Sequence, residues 1–412
     1  MITEAAKTLT DSLRLFTPCP PAADRECWEK LPEDLKARLI RNGEAYLHYE
    51  YPALTAVDFM EFTRSGNRSR YQDRLFARRT ALDSLVLAEC AEHRGRFLDD
   101  IINGLYLICE ENAWQLPAHN SYIRDTPQFP LPDVTRPVID LFAAETASVL
   151  AVAEYLLRSE LKEVSPFLSV MIDHELETRI FTPYLSEHFW WMGDGKSHMN
   201  NWTVWCTQNV LLSAFTRPLP KETQTEILTK AAGSIDYFLA EYGEDGCCDE
   251  GAQYYRHAGL CLFGCLEILN GITDHAFSFA WEQEKIRNIA SYILNVHVDT
   301  VYYVNFADCS PVAGRCNARE YLFGKRTGNQ ALMEFAASDY QNSEDPLTLD
   351  EHNLFYRLQT VFSHEEMMQY DRNPVIVHRD LYYESVGLFM ARDSRLYLCL
   401  LYTSPSPRDP KT

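Results

Sequence analysis

The feature that most constrains this chain is its hydrophobic period. From about Asp73 to Val296 apolar residues recur every three or four positions in blocks of ordinary helix length, separated by short Pro, Gly or polar breaks. The blocks run over Leu75–Glu92, Phe97–Glu111, Val138–Arg158, Asn201–Phe215, Thr223–Tyr242, Tyr255–Leu269 and Trp281–Val296. No alternating strand pattern lies between them, so antiparallel helical hairpins in a toroid or solenoid are favoured over a βαβ sheet. No fixed-length repeat of the tetratricopeptide kind is visible. At 412 residues the chain exceeds the roughly 250–300 at which a single core usually stops growing, which leaves a large toroid or two domains.

The texture changes after about Val375. Val375–His378, Val386–Ala391 and Leu396–Leu398 read as short strands of a second, β-rich domain. The string from Cys399 through Pro405, Ser406 and Pro407 to Asp409 looks like no continuation of a strand and resembles the conceptual translation of a transposon-type sequencing adapter. The expected organisation is a helical domain over 1–370, the start of a β-rich domain over 371–398, and a non-native tail over 399–412. A sheet cut so early has open edges and an uncovered apolar face, so isolated strands and a tail unpacked from Thr403 are expected rather than a docked domain.

Charge and cysteine usage narrow the partners. Lys and Arg number 38 against 59 Asp and Glu, a net charge of −21, which disfavours nucleic acid and anionic membrane as partners and confines any anionic ligand to a locally positive pocket. No stretch reaches the ~18 apolar residues of a membrane span. The start Met1-Ile2-Thr3-Glu4-Ala5-Ala6-Lys7 has no basic region followed by an apolar one, so a cytoplasmic protein is expected as written. The 12 cysteines are scattered, several on apolar helical stretches as with Cys109, Cys261 and Cys265, which points to buried free thiols rather than disulfides.

Two segments are dense in chemistry. Phe189 to Trp202 brings Trp190, Trp191, Lys196, His198, Asn200 and Asn201 through a Gly-containing loop to the start of an apolar helix. Asp245 to Gly259 does the same with an acidic turn, Asp249 and Glu250, then Tyr254, Tyr255, Arg256 and His257. Aromatic platforms beside amides and carboxylates suit a sugar, which offers apolar faces and a rim of hydroxyls.

Together these segments resemble the heparinase II/III-like family of polysaccharide lyases. The carrying residues are Trp191-Met192-Gly193, Asn200-Asn201-Trp202, Asp245-Gly246, Asp249-Glu250-Gly251 and Tyr254, with weaker support from Trp114 to His119 and from Val304 to Asp308. The resemblance covers roughly residues 52–398. It implies a mainly α fold, an incomplete α/α toroid that carries the catalytic residues, followed here by the first strands of a truncated antiparallel β-sandwich. It also implies β-elimination at a uronic acid in an acidic poly- or oligosaccharide, without metal or cofactor. The family register places the amide and the tyrosine a little over fifty residues apart, as Asn200 and Tyr254 are. By that register Tyr254, Asn200, Asn201 and His198 are the catalytic candidates. Trp191, Lys196, Trp202, Glu250, Tyr255, Arg256, His257 and His119 are the substrate-binding ones. Secreted relatives make the cell envelope or periplasm the alternative location, and the assembly is left open between monomer and homodimer.

Arg256, His257 and His198 are candidates to favour the Tyr254 phenolate, and Lys196, His198, Arg256, Arg315 and Arg319 are expected to form a positive island around the amides. Two departures matter. Relatives often carry His beside the amide and Trp after the tyrosine, where this chain has Trp202 and Tyr255. The family's second catalytic histidine lies in the sandwich beyond Leu398, and His378 comes too early to replace it, so the chain as written is expected to be a poor enzyme. Plainer readings stand beside these. An Asn pair before a helix is commonly an N-cap, a Tyr pair is commonly core, Asp249-Glu250 suit a helix N-terminus, and His119 or His174 alone reads as a satisfied histidine. The rival functions are a toroid glycoside hydrolase using two of Asp249, Glu250 and Asp308, a sugar epimerase, or a non-catalytic glycan-binding protein.

Overall fold

The computed structural model describes residues 1–9, 13–377, 380–393 and 396–401. The protein is mainly helical, with two small antiparallel sheets. The first half holds α1 (Ile2–Ala6), α2 (Arg25–Glu29), α3 (Glu33–Glu44), α4 (Ala56–Ser65), α5 (Ser69–Glu92), α6 (Leu98–Cys109), α7 (Leu141–Val164), α8 (Phe167–Leu176) and α9 (Thr182–Ser186). The second holds α10 (Asn201–Phe215), α11 (Lys221–Glu241), α12 (Ala252–Tyr255), α13 (Gly259–Ile272), α14 (Glu284–Asn295), α15 (Ala318–Thr327), α16 (Gln330–Gln341) and α17 (Leu354–Met367). Strands β1 (His297–Asp299) and β2 (Tyr302–Tyr303) form a short ribbon, and β3 (Leu381–Tyr383), β4 (Leu388–Asp393) and β5 (Leu396–Leu401) a meander.

Side-chain caps fix where the helices begin. Asp140 Oδ1 accepts from the backbone of Phe142 and Ala143 at the start of α7, Asn353 caps α17, and Asn317 makes a capping box with Glu320 on α15. Helix α10 packs on α7, α11 and α13, α13 on α15, α15 on α17, and α17 back on α7. Helices α5, α8, α11, α14 and α16 lie against this circuit. Helix α13 is buried on nearly every side, with Leu260, Leu262, Phe263, Leu266 and Leu269 at 1 % exposure or less, which is why it carries no polar stripe. Each such side chain contributes about 1.5–3 kcal/mol by leaving water.

Four expectations are corrected. The block Tyr255–Leu269 is not one helix: it breaks at residues 256–258, where Gly259 lies so close under the Tyr255 ring that a Cβ would stand 2.4 Å from it. Residues 375–377 are not a strand; the first strand of the meander is Leu381–Tyr383. The last strand does not stop at Leu398, because Cys399, Leu400 and Leu401 pair with Met390, Phe389 and Leu388. Nor are the strands isolated. Tyr383, Leu388 and Met390 are buried, Tyr383 packs on Tyr292 of α14, and Arg392 bonds the carbonyls of Asn295 and His297. The expected tail from Thr403 lies outside the described residues. Every described cysteine is free, and all but Cys27 are buried. Among the described residues no helix is long and apolar enough to cross a membrane.

Candidate functional site

The loop before α10 is set by Asp194, whose carboxylate accepts from the backbone of Lys196 and Ser197 at 2.8 and 2.7 Å and leaves Lys196 exposed on the turn. Glu241, at the end of α11, holds the next stretch: its Oε2 accepts from Met199 N and faces His198 Nδ1, both at 2.8 Å. The other ring nitrogen of the half-exposed His198 lies 3.4 Å from Asp249 Oδ2. Asn200 is extended and its Oδ1 accepts from Trp202 N at 3.1 Å, so it is the N-cap of α10. The cap uses the oxygen and leaves Nδ2 as a donor end. Asn201 is the first helical residue and is 4 % exposed. Both amides line a cleft of about 190 Å³ with His198, Glu241, Asp249 and Glu250, and one wall of it is Ser385 and Val386 from the β3–β4 turn. That turn is tied in place by Asp245, which accepts from Ser385 N and Oγ at 2.9 and 2.7 Å.

Asn200 also borders a second cleft of about 260 Å³ that holds His119, Arg124, Trp190 and Trp202. The Trp190 and Trp202 rings lie 5.0 Å apart, and His119 meets Trp202 edge-on at 4.7 Å. His119 donates from Nδ1 to Asp140 Oδ2 at 2.7 Å, so the carboxylate that caps α7 also orients this imidazole. The Arg124 guanidinium stacks over Trp190 at 4.5 Å and donates to the carbonyl of His198 at 3.3 Å.

The tyrosine arrives through a tight turn. Gly251 has φ 90°, and a Cβ there would stand 2.3 Å from the Phe306 carbonyl oxygen, so only glycine lets α12 start against the 304–309 loop. Tyr254 is half-buried and its ring meets His257 edge-on at 6.5 Å. His257 stacks on Trp205 at 4.1 Å and 11°. Trp205 stands one helical turn beyond Asn201 on α10. Tyr254 lines neither of the two clefts at Asn200; its link to α10 runs through His257 and Trp205. Burial, with Arg319 and Arg256 nearby, lowers the His257 pKa to about 3, so this ring is neutral. Trp205 Nε1 donates to Glu145 Oε2 at 2.9 Å, and burial beside Glu351 raises the Glu145 carboxyl to about 8.

Several expected site residues face elsewhere. Trp191 is 1 % exposed, with its indole donating to the Ile139 carbonyl and its ring on Phe189 and Tyr184, so it is core rather than a sugar platform. Tyr255 is fully buried and donates to the Ala290 carbonyl, so it cannot touch substrate. Arg256 turns to the Arg315 carbonyl at 2.6 Å and to Glu320 at 3.6 Å. Together with Arg315 and Arg319 it lines a different cavity, so the positive island does not form around the amides. Glu250 is buried in the amide cleft wall, Asp249 is turned to His198, and Asp308 is exposed on the 304–309 loop. His378 lies outside the described residues. Among the described residues no group of three or more His, Cys, Asp or Glu is placed to hold a metal.

The sequence reading missed Arg124, Glu145, Trp205 and Glu241. Glu145 had a signal, being the lone acid in the largely apolar run Leu141 to Ala153. Arg124, in a polar loop without period, had none. No family model matches the chain, and no curated protein matches it.

Proposed function

We propose that this chain is a polysaccharide lyase of the heparinase II/III-like kind, cleaving uronic-acid-containing glycans by β-elimination. In this reading the helices form an incomplete α/α toroid and β3–β5 begin an antiparallel sandwich; the circuit α7, α10, α13, α15, α17 with a second set of helices against it favours that arrangement. The observation that supports the activity is the contact series in which Tyr254 meets His257 edge-on and His257 stacks on Trp205, one helical turn beyond Asn201.

The C5 proton of a uronate is barely acidic until the neighbouring carboxylate is neutralised. Asn200 Nδ2 and the Asn201 amide are the donors that take the developing enolate charge. Tyr254 removes the proton and returns it to the departing O4 when both lie on one side of the ring. His257, being neutral, serves Tyr254 as a polar ring and not as a cation. Arg124 is the cationic group on the cleft beside Asn200, with Lys196 exposed on the preceding turn, and Trp190 and Trp202 offer platforms for the apolar faces of a sugar.

The test is the ultraviolet band of the unsaturated uronate that only elimination creates. Tyr254→Phe removes a hydroxyl alone and is expected to lower turnover by roughly 10²–10⁴-fold relative to the intact chain, with glycan binding kept. Full turnover in that variant overturns the assignment. A hydrolase or epimerase gives products without the band, and a binding protein retains glycans in a pull-down and turns over none.

A further inference from the structure

His119 is bound at one ring nitrogen and open at the other. Nδ1 meets Asp140 Oδ2 at 2.7 Å, while Nε2 has no hydrogen-bond partner among the described residues and is not sealed from solvent. Asp140 is fully buried, and each of its oxygens already serves a backbone donor, Leu116 N on Oδ2 and Phe142 N and Ala143 N on Oδ1. It is therefore the acceptor of the pair, which fixes the hydrogen of a neutral imidazole on Nδ1 and leaves the lone pair on Nε2. The ring plane is set as well, parallel to Phe142 at 6.1 Å and edge-on to Trp202 at 4.7 Å. The other histidines near Asn200 lack this arrangement. Both nitrogens of His198 face carboxylates, Glu241 and Asp249, and His257 lines neither cleft.

His119 shares its cleft with the groups that a carbon acid needs. Asn200 presents Nδ2, the end its cap leaves unused. Arg124 is engaged at Nε by the exposed Asp125, 3.5 Å away, and at Nη1 by the carbonyl of His198, which leaves Nη2. A carboxylate held by Nη2 and the Asn200 amide has its α hydrogen made more acidic, because the negative charge of the enolate then develops against two fixed donors. A base within reach completes the set, and a histidine oriented by a buried carboxylate is a common form of one. Tyr254, by contrast, lines neither cleft at Asn200.

We propose that His119, oriented by Asp140, is the proton acceptor of this cleft, its Nε2 taking the hydrogen α to the carboxylate of a uronic acid. The C–H bond breaks, its electron pair passes into the enolate, and the proton on Nε2 exchanges with solvent before one returns to carbon. The inference rests on the elimination reading for its ligand and divides the transfers given there to Tyr254, so that His119 serves C5 and Tyr254 the departing O4.

Deuterium uptake at C5 tests this without a leaving group. D-Glucuronate incubated in heavy water with the full chain is expected to lose its C5 proton resonance, at a rate kept in Tyr254→Phe and lowered roughly 10²–10⁴-fold in His119→Gln. No uptake with the parent chain, uptake kept in His119→Gln, or uptake lost only in Tyr254→Phe overturns the proposal. The ultraviolet band of the unsaturated uronate, read on an oligosaccharide, keeps the two readings apart. Uptake that depends on His119 without the band retires the lyase and leaves His119 as the acceptor, whereas a band undiminished in His119→Gln retires His119 alone. Should circular dichroism show that His119→Gln fails to fold, carbethoxylation of the folded parent with diethyl pyrocarbonate, followed by peptide mass spectrometry, takes its place. Uptake lost in step with modification of His119 supports the proposal, and uptake that survives that modification overturns it.

Discussion

Asn200 caps α10 with its oxygen and leaves its nitrogen as a donor end, the atom to which the proposed function gives a chemical role. The two roles separate by substitution. Asn200→Asp keeps an acceptor for Trp202 N at a helix start that favours negative charge, so urea denaturation is expected to show stability near the parent. In the proposed lyase the same variant loses the donor and sets a negative charge against a uronate, so under that proposal the elimination rate is expected to collapse. Asn200→Ala is expected to lose both, with about 1 kcal/mol of stability gone. Asp140 carries a heavier structural load: it is fully buried and accepts from Leu116 N, His119 Nδ1, Phe142 N and Ala143 N. Asp140→Ala is expected to cost about 2–4 kcal/mol in the same measurement, a lost cap plus stranded buried donors.

Among the elements, the turn into α12 is the tightest junction near Tyr254. Gly251→Ala must move either the Phe306 carbonyl or α12 itself, so a loss of about 1–3 kcal/mol is expected from chemical denaturation, together with a fall in turnover. A stable variant with full turnover would show that α12 can shift without harm. What the sequence made legible follows the same physics. Helix α10 was readable to both ends because an amide cap precedes an apolar run that stays buried. Helices α15 and α17 were not readable, because Arg319, Glu320 and Arg357 face a polar interior and interrupt the apolar stripe. The docked sheet was misjudged because its cover is supplied by α14, far away in sequence. Trp191 and Tyr255 were misplaced for a related reason: each has an inward carbonyl partner, which residue type and spacing do not reveal.

For the whole molecule, buried groups act on the pH response in opposite directions, Glu145 and Asp339 with a raised carboxyl pKa, His257 and His352 with a lowered ring pKa. The Glu145 carboxyl sits at about 8 in the folded chain against an ordinary 4.5, so the native state holds its proton more tightly and stability falls as pH rises from about 4.5 to about 8. His257 is depressed to about 3 from 6.5, so its contribution is present above 6.5 and is lost as pH falls toward 3. The slopes of Glu145 and His257 oppose each other between about 4.5 and 6.5, so this pair contributes little net pH dependence there and a decline above it. Glu145→Gln is expected to remove about 2 kcal/mol of decline between pH 6.5 and 8, read as melting temperature against pH. An unchanged profile in that variant would mean that Glu145 is ionised in the folded protein.

The bond between Asp245 and Ser385 has a consequence in time as well as in space. Ser385 leaves the ribosome about 185 residues after Asn200, a delay of roughly 10–40 s at ordinary translation rates. During that interval the nascent chain already carries the amides on an emerging α10 but has only an open face where the cleft will stand. The cleft is therefore complete only once the β3–β4 turn has emerged, and a ribosome stalled before that turn would display a helical body with an unfinished mouth.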